Sequence, residues 1–530
     1  MMTAVAVGLG LVGALSPLLT LLRLWQIKEW RWDRLLEHLR REGVLMQLFG
    51  GTRSLILFCW GSITLILILI GDAGVMALPL GLVLLTLLAL TTIAQIALRK
   101  QQTPVWTLKA IVLTVFSLLL TMTLIGLLFP LSWHGGVLLG ALVPAAGPVI
   151  AACAWMVMRP VDFLLKRRVM NRAKSVREHH PTITVIGITG SVGKTTTKEL
   201  ISHVLRPFDA IATPEHVNTE MGVAAWISRV LRDEPADSRK ILIVEMGAYR
   251  KGEIALLCSI AQPTIGVITY IGHQHLSLFG SRDAIREAKG ELFQSLPESG
   301  RAFANKDNEG SDALIRLCRC PVITVGTGND ADIVADNIEE TGKGICFRSL
   351  DTVFDVPLPG THSVTSALLA IAVAKHLGRS AADIAESLKH FMPLPGTFEI
   401  REEGGITVLN DTYNASPDGV RAAIDWAALQ PHPEKILLIE GIIELGQFEE
   451  DIHLDLALRA SKVFHRAFVA DPHFLPYFRK GGFDERAQPV PGHPTPIAAG
   501  SLLVCLGRLR QSQINRFLKP ENRNPETGNR

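Results

Sequence analysis

Five long apolar stretches lie in the first 160 residues of this 530-residue chain and constrain its fold more than any other feature. They cover about 4–24, 54–71, 75–98, 107–130 and 136–158. A membrane-spanning helix needs about 20 apolar residues. The sequence therefore predicts an α-helical transmembrane bundle over 1–160. The first stretch has no basic segment before it and continues into Trp25 and Lys28, so we expect no cleaved signal peptide.

Basic residues cluster on alternate connections between these stretches. The connections 25–53 and 99–106 and the segment after the last stretch carry Lys and Arg, whereas 72–74 and 131–135 carry none. Because Lys and Arg concentrate on the cytoplasmic side, we expect the N-terminus outside and the rest of the chain in the cytoplasm. Residues 25–42 mix Trp and Leu with charge, which is typical of an interfacial helix; a plain cytoplasmic helix is the alternative.

A glycine-rich loop follows a β-branched run at the start of the polar part of the chain. The run 182–188 is typical of a buried parallel strand, and it leads into TGSVGKTTT at 189–197 and a helical stretch, 198–205. This order is typical of loops that bind nucleotide phosphates. Backbone N–H groups near Gly190 and Gly193 approach the phosphates, and Lys194 reaches the terminal ones.

Two further strand patterns end in residues that could bind a metal. The strand pattern 241–245 ends in Glu245, and the pattern 264–269 is followed closely by His275. Ligands bind at the C-terminal ends of strands in open α/β sheets. We therefore expect both side chains beside the phosphate loop. A predicted helix, 282–296, carries Lys289.

Several motifs, taken together, resemble the Mur ligase family. They include TGSVGKTTTKE at 189–199, NTEMGV at 218–223, VEMGAYRKGEI at 244–254, IGHQHLSLFGS at 271–281, AKGELF at 288–293 and NDTYNASPDGVRAAID at 410–425. The resemblance covers roughly 181–460 and is closest to the D-alanyl-D-alanine-adding (MurF) branch. It implies an ATP-dependent amide ligase of cell-wall precursor synthesis. In such a ligase a carboxylate takes the γ-phosphoryl group, and an amine then displaces phosphate.

The resemblance also implies roles for single residues. By the resemblance, the ATP phosphates would be held by Gly190, Ser191, Val192, Gly193, Lys194, Thr195 and Thr196. Mg²⁺ would be bound by Thr195, Glu245, His275 and Lys289, a lysine position that is commonly carbamylated in the family. The implied catalytic residues are Lys194, Asn218, His275 and Lys289. Asn305 and Asp307 would contact adenine, Asp411 would hold the ribose, and Tyr413 and Asn414 would line the domain junction.

Structural alternatives remain for four of these residues. They are a helix-capping carboxylate for Glu245, a packed loop histidine for His275, an exposed helical lysine for Lys289 and a turn residue for Asn305.

The chain departs from the family pattern at both ends. Gly396-Thr397 stands where the family has Gly-Arg, and Leu506-Gly507-Arg508 where it has Lys-Gly-Ser. The apolar bundle replaces the family's domain for the UDP-sugar end of the substrate. We therefore expect a membrane-associated acceptor, such as a lipid-linked peptide or glycan precursor. Two alternatives stay open: a ligase acting on another polymer, such as polyglutamate, and a non-catalytic ATP-binding membrane scaffold.

The sequence thus predicts a multi-domain chain with an α-helical transmembrane bundle and two α/β domains. The expected parts are the bundle 1–160, a linker helix 161–180, a P-loop central domain 181–392, a Rossmann-like C-terminal domain 393–517 and a disordered tail 518–530. The expected ligands are ATP, Mg²⁺ and a peptide or amino-acid substrate. The net charge of +3 is too small to favour nucleic acid as a partner.

Overall fold

The computed structural model describes residues 2–28, 30–69, 73–128, 142–274, 276–328, 330–341, 344–413 and 415–518. The chain divides into two compact units, Met1–Leu165 (unit 1) and Lys166–Arg530 (unit 2).

Unit 1 is built from helices. Their bounds are Met2–Ile27, Trp32–Glu42, Val44–Leu69, Ala73–Ala97, Leu108–Leu128 and Gly147–Glu178, of which the last ends in unit 2. Among the described residues, five helices have the length and apolar composition that crossing a membrane requires. They overlap the five predicted stretches. Their outer faces carry exposed apolar side chains such as Phe58 and Leu108, as a lipid-facing surface does.

The helix boundaries correct two expectations for unit 1. Residues 25–42 do not form one helix: the first helix ends at Ile27 and a new one begins at Trp32, with Trp30 at a positive φ of 60° between them. Residues 147–158 of the last predicted span and residues 161–178 of the predicted linker helix belong to one helix, Gly147–Glu178. Its Pro160 removes a single backbone donor without ending the helix. The connections predicted at 72–74 and 131–135 lie partly or wholly outside the described residues.

A buried arginine in unit 1 corrects a third expectation. Arg53, which the sequence pattern assigned to a basic connection, is 2% exposed and lies in the helical segment of Val44–Leu69 that follows the kink at Gly50. Its guanidinium donates hydrogen bonds to the Ser16, Thr91 and Thr92 hydroxyls and to Gln95 Oε1, at 2.7–3.1 Å. These bonds tie three helices together through neutral acceptors.

A seven-stranded parallel sheet forms the centre of the first part of unit 2. Its strands, in chain order, are β1 Thr184–Thr189, β2 Ala210–Ala212, β3 Ile241–Glu245, β4 Ile265–Ile268, β5 Arg301–Asn305, β6 Val322–Gly326 and β7 Ile333–Val334. The spatial order is β2-β3-β1-β4-β5-β6-β7. Ile186 and Ile188 enter one apolar core, whereas Val185 enters the other. The sheet is therefore covered on both faces.

Helices pack on both faces of this sheet. They are Lys194–Val204, Glu220–Val230, Glu253–Ala261, Leu276–Phe279, Arg282–Gln294, Ser311–Ile315, Ser363–His376 and Ala381–Lys389. The helix after the glycine loop begins at Lys194, not at the predicted residue 198.

A small antiparallel sheet follows β7 in the chain. It consists of β8 Asp336–Thr341, β9 Gly344–Ser349 and β10 Thr352–Val356. Leu350 and Asp351 connect β9 to β10 with φ values of 50° and 57°. Positive φ at both positions is typical of a type I′ hairpin turn, here without the usual glycine or asparagine.

A six-stranded sheet forms the second part of unit 2. Its strands are β11 Glu399–Glu403, β12 Ile406–Asp411, β13 Lys435–Ile439, β14 Arg466–Val469, β15 Ala487–Pro489 and β16 Leu502–Leu506. Its helices are Pro417–Leu429, Glu449–Ala460, Leu475–Phe478 and Gln511–Ile514. The spatial order is β11-β12-β16-β13-β14-β15, and only β11 is antiparallel to its neighbour.

The two sheets confirm an α/β architecture with mainly parallel strands. The predicted disordered tail, 518–530, is wrong for its first residue: Leu518 is buried beside Phe517 in the core of the six-stranded sheet. The rest of the predicted tail, 519–530, lies outside the described residues.

Candidate functional site

The glycine loop follows β1 directly and requires glycine at Gly190. Its φ is 152°, and a side chain there would overlap the Thr269 hydroxyl. Gly193, with φ 80°, precedes the first residue of the helix Lys194–Val204. The loop is held from outside by Tyr270, whose carbonyl accepts the Ser191 N–H at 2.6 Å. This places a preformed anion-binding loop at a helix N-terminus.

Lys194 lies at the mouth of this loop. Its Nζ donates to the Ser191 carbonyl at 3.2 Å and to Gln274 Oε1 at 3.4 Å. Burial lowers the pKa of Lys194, while nearby Glu245 acts in the opposite direction. A half-buried cation whose hydrogen bonds go to neutral acceptors at these distances is suited to binding a phosphate group.

Glu245 ends β3 and lies against the loop, as the strand pattern predicted. Its Oε2 accepts from the Thr195 hydroxyl at 3.1 Å, and its Oε1 accepts from Asn218 Nδ2 at 3.1 Å. The carboxylate is therefore not a helix cap. A buried carboxylate beside a threonine hydroxyl provides the hard oxygen ligands that Mg²⁺ prefers.

Lys289 is not the exposed helical lysine that was one alternative from the sequence. It lies in the helix Arg282–Gln294 and is 2% exposed. Burial and, second, the charge of Lys194 lower the pKa of Lys289 to about 7, against opposing effects of Glu253 and Glu245. Such an amine is partly neutral near pH 7 and chemically reactive.

Two predicted site residues, His275 and Asn414, lie outside the described residues.

A cavity of about 450 Å³ opens beside the loop and is lined by both parts of unit 2. Its lining includes 191–196, Gln274, Asn305, Asp307, His362, Thr397, Phe398, Asp411, Tyr413, Asp418 and Arg421. The cavity thus joins the phosphate loop to the residues predicted to hold adenine and ribose. Its size suits a nucleotide.

The residues predicted at the base and the sugar have defined contacts. Asn305 Oδ1 accepts the Asp307 N–H at 3.0 Å, and the Asp307 carboxylate accepts the Thr327 N–H at 2.9 Å. These are turn contacts, so Asn305 fits the turn alternative as well as an adenine contact. Asp411 ends β12, and burial raises the pKa of its carboxyl to about 7, although the Phe398 N–H, 3.2 Å from Oδ1, opposes this rise.

Several contacts join the two parts of unit 2 beside the cavity. Asp418 Oδ2 accepts the His273 N–H at 3.1 Å, close to Gly272, where any side chain would overlap the Asp418 carboxylate. The Tyr413 ring stacks on His216 with centroids 5.1 Å apart, and its hydroxyl is 3.2 Å from His216 Nδ1. The second part therefore contacts the first on two sides of the cavity.

Sequence reasoning did not single out Lys198, Gln274, Asp418 or Arg421. For Asp418, the Ser-Pro-Asp segment at 416–418 was a sequence signal of a helix start. Ser416 caps the helix that begins at Pro417, so Asp418 had to lie in its first turn. No pattern in the sequence indicated that Asp418 would contact a loop of the other sheet.

Comparison with known proteins identifies the fold around this cavity. The family model for the "Mur ligase middle domain" matches residues 188–374. Residues 188–374 of this chain therefore resemble the Mur ligase middle domain. The resemblance predicted from the motifs is confirmed.

Similar proteins are of the MurF type. The chain is 38% identical over 278 residues to the UDP-N-acetylmuramoyl-tripeptide–D-alanyl-D-alanine ligase of Mycobacterium tuberculosis, covering 50% of this chain and 54% of that protein. It is 34% identical over 274 residues to the enzyme of the same name from Bacillus subtilis, covering 51% and 58%. The chain therefore spans little more than half the length of these relatives.

A crystal structure of the MurF ligase from Thermotoga maritima in complex with ADP has the same fold. It is 27% identical, with a TM-score of 0.57, and the match covers 66% of this chain and 82% of that one.

Proposed function

We propose that this chain is an ATP-dependent amide ligase of cell-wall precursor synthesis. The observation that carries the proposal is the phosphate loop beside Glu245, opening on a cavity that both α/β parts of unit 2 line. In that arrangement Lys194 and the helix N-terminus bind the ATP phosphates. We propose 181–392 as the ATP-binding domain and 393–517 as the domain that closes over the nucleotide.

Magnesium fits the residues beside the loop. Mg²⁺ is usually held by one or two carboxylates together with phosphate oxygens and water. Thr195 Oγ1 and Glu245 Oε2 supply such oxygens, and the described residues contain no cluster of three His, Cys, Asp or Glu that would indicate another kind of metal site. His275 and a carbamylated Lys289 are proposed as further ligands. When bound, the metal supplies charge neutralisation at the phosphates.

The proposed reaction has two steps with balanced chemistry. A carboxylate oxygen of the acceptor attacks the γ-phosphorus of ATP, and ADP leaves. The neutral amine then attacks the acyl carbonyl, phosphate leaves with the former carboxylate oxygen, and the amine gives up one proton to solvent. Lys194 offsets negative charge on the transferred group, while Asn218 holds Glu245 in place. Catalysis of this kind depends mainly on positioning and electrostatics.

The nucleoside end of ATP is proposed to lie toward the other end of the cavity. Asn305 and Asp307 would contact adenine there. Asp411 would accept hydrogen bonds from the ribose hydroxyls. Tyr413 and Asn414 would lie at the domain junction, where the Tyr413–His216 contact spans the cavity.

The amine is proposed to be D-alanyl-D-alanine or a related amino compound, and the acceptor a peptide carboxylate. We infer that the acceptor is membrane-associated, because five helices suited to crossing a membrane precede the ligase part of the chain. We place the N-terminus outside and the catalytic part in the cytoplasm.

The proposed topology can be tested with single cysteines in a cysteine-free variant. Ala4→Cys should react with a membrane-impermeant thiol reagent in intact cells, whereas Ser175→Cys should react only after permeabilisation. The reverse pattern would contradict the orientation.

A ligation assay tests the proposed function. Purified full-length protein is incubated with ATP, Mg²⁺ and D-alanyl-D-alanine, with either the soluble UDP-muramoyl-tripeptide or its lipid-linked form, and products are identified by mass spectrometry. We expect amide product with the lipid-linked acceptor. Turnover with the soluble acceptor alone would contradict the acceptor assignment.

Two controls separate the enzyme from a scaffold. Lys194→Ala should abolish product, whereas Lys251→Ala, which changes an exposed lysine paired with Glu287, should not. A scaffold would release no phosphate in response to the dipeptide. A Mur-like ligase of another polymer would release phosphate only with that polymer.

A further inference from the structure

A second lysine lies buried behind the phosphate loop. The Lys198 side chain is 0% exposed. Its Nζ donates to the Thr213 carbonyl at 2.9 Å and lies 3.1 Å from Glu199 Oε1 and 3.6 Å from Glu245 Oε2. Nothing in the proposed reaction uses this side chain.

Burying this ammonium group has a high energetic cost. An isolated buried charge is strongly destabilising unless it is paired and hydrogen-bonded. The Glu199 side chain is 29% exposed, whereas that of Glu245 is 7% exposed. The buried lysine therefore offsets the charge of the buried carboxylate that we propose as a metal ligand.

Lys198 also fixes the geometry around Glu245. The Thr213 carbonyl accepts a hydrogen bond from the Lys198 ammonium group. The Thr213 hydroxyl accepts one from the Glu245 N–H at 3.1 Å. Residues 213–218 continue from there to Asn218, which donates to the same carboxylate. One lysine thus links the helix of the phosphate loop, the end of β3 and the segment that carries Asn218.

Lys194 and Lys198 lie on the same helix but in different environments. Residues four apart lie one above the other on one helix face. Lys194 lies at the first residue of the helix and lines the cavity, whereas Lys198 lies one turn further on and is buried. Only the first is placed to contact a phosphate.

We propose that Lys198 is a positioning residue that holds Glu245 and the segment 213–218 in the arrangement that binds the metal–nucleotide complex. This inference rests on the proposed function. Lys198 acts through Glu245 and contacts neither ATP nor acceptor. Changes to residues that orient a metal ligand typically reduce metal affinity or activity by about 10–100-fold.

Binding measurements test this proposal without relying on turnover. ADP binding to the full-length protein is followed by titration calorimetry over a range of Mg²⁺ concentrations. For Lys198→Met we expect the Mg²⁺ concentration for half-maximal binding to rise by about 10–100-fold. The exposed-lysine control Lys251→Met should match wild type. A Lys198→Met protein with wild-type Mg²⁺ dependence would overturn the proposal.

A double variant distinguishes positioning from general destabilisation. In a Glu245→Gln background, adding Lys198→Met should change the Mg²⁺ dependence no further, because the residue through which Lys198 acts is already altered. An additional loss in the double variant would overturn the proposal. This pair also removes both buried charges together, so it remains informative if Lys198→Met alone does not fold. Absence of Mg²⁺-dependent ADP binding in wild type would instead refute the proposed function, and the inference with it.

Discussion

Lys289 offers the sharpest chemical prediction of the site. Burial and the neighbouring Lys194 lower its pKa from 10.5 to about 7. At pH 7 about half of such side chains are neutral amines, against roughly one in 3,000 for an ordinary lysine. The neutral amine is the form that reacts with CO₂, so the site raises the reactive fraction roughly a thousandfold. Lys194 opposes an ammonium at Lys289 but favours the carbamate anion.

The assay is ¹³C NMR of protein equilibrated with ¹³C-bicarbonate at pH 8. Wild type should show one carbamate resonance that Lys289→Met lacks, and Lys251→Met should retain it. Ligase activity should fall in CO₂-depleted buffer and recover on adding bicarbonate. A resonance that persists in Lys289→Met, or its absence from wild type, would refute the reasoning.

The lowered pKa of Lys289 also makes the stability of the folded protein depend on pH. The pKa of Lys289 is lower in the folded state, so the unfolded chain binds more protons between pH 7 and 10.5. In CO₂-free buffer the free energy of unfolding should therefore rise with pH over that interval, by up to about 5 kcal/mol. Lys289→Met should lose this rise, which chemical denaturation at several pH values can measure.

Three further predictions concern the nucleotide cavity. Burial raises the pKa of Asp411 to about 7. ADP affinity measured by calorimetry should therefore fall about tenfold between pH 8 and 6 as the carboxylate is protonated. Asp411→Asn should bind ADP with little pH dependence, and a variant whose affinity changes with pH as in wild type would count against the ribose role. Gly190→Ala should abolish ADP binding by displacing the loop, whereas Gly492→Ala, where nothing lies within 4 Å, should not; equal binding by the two variants would contradict the loop assignment. Tyr413→Phe removes the hydroxyl contact to His216 but keeps the ring stack, so KM for ATP should rise about fivefold, the value of a hydrogen bond of about 1 kcal/mol; an unchanged KM would show that this contact does not support closure.

Local patterns were sufficient to predict the glycine loop and the position of Glu245 beside it. A β-branched run before a glycine-rich segment predicted the strand and the loop, and the strand pattern 241–245 predicted Glu245 at the same sheet edge. Both follow from the rule that parallel strands end together. The chemical environment of Lys289 needed the fold, because its burial depends on packing between elements far apart in sequence.

Other parts of the fold were beyond the reach of local patterns. The strand Asp336–Thr341 is polar and lacks clear alternation, so its pairing with β9 is decided by tertiary contacts. The sequence analysis placed a boundary between residues 160 and 161, yet one helix continues through Pro160 because losing one backbone donor is tolerated. The sequence pattern placed Arg53 in a connecting loop, because the neutral partners that allow its burial come from two other helices and cannot be recognised locally.

The acyl-phosphate step is the central claim, and an isotope measurement tests it most directly. The acceptor peptide is prepared with ¹⁸O in its reacting carboxylate and incubated with the full-length protein, ATP, Mg²⁺ and D-alanyl-D-alanine. The proposed reaction predicts one ¹⁸O atom in each phosphate released, in step with amide product, and neither in Lys194→Ala. Amide product accompanied by phosphate without ¹⁸O would contradict it.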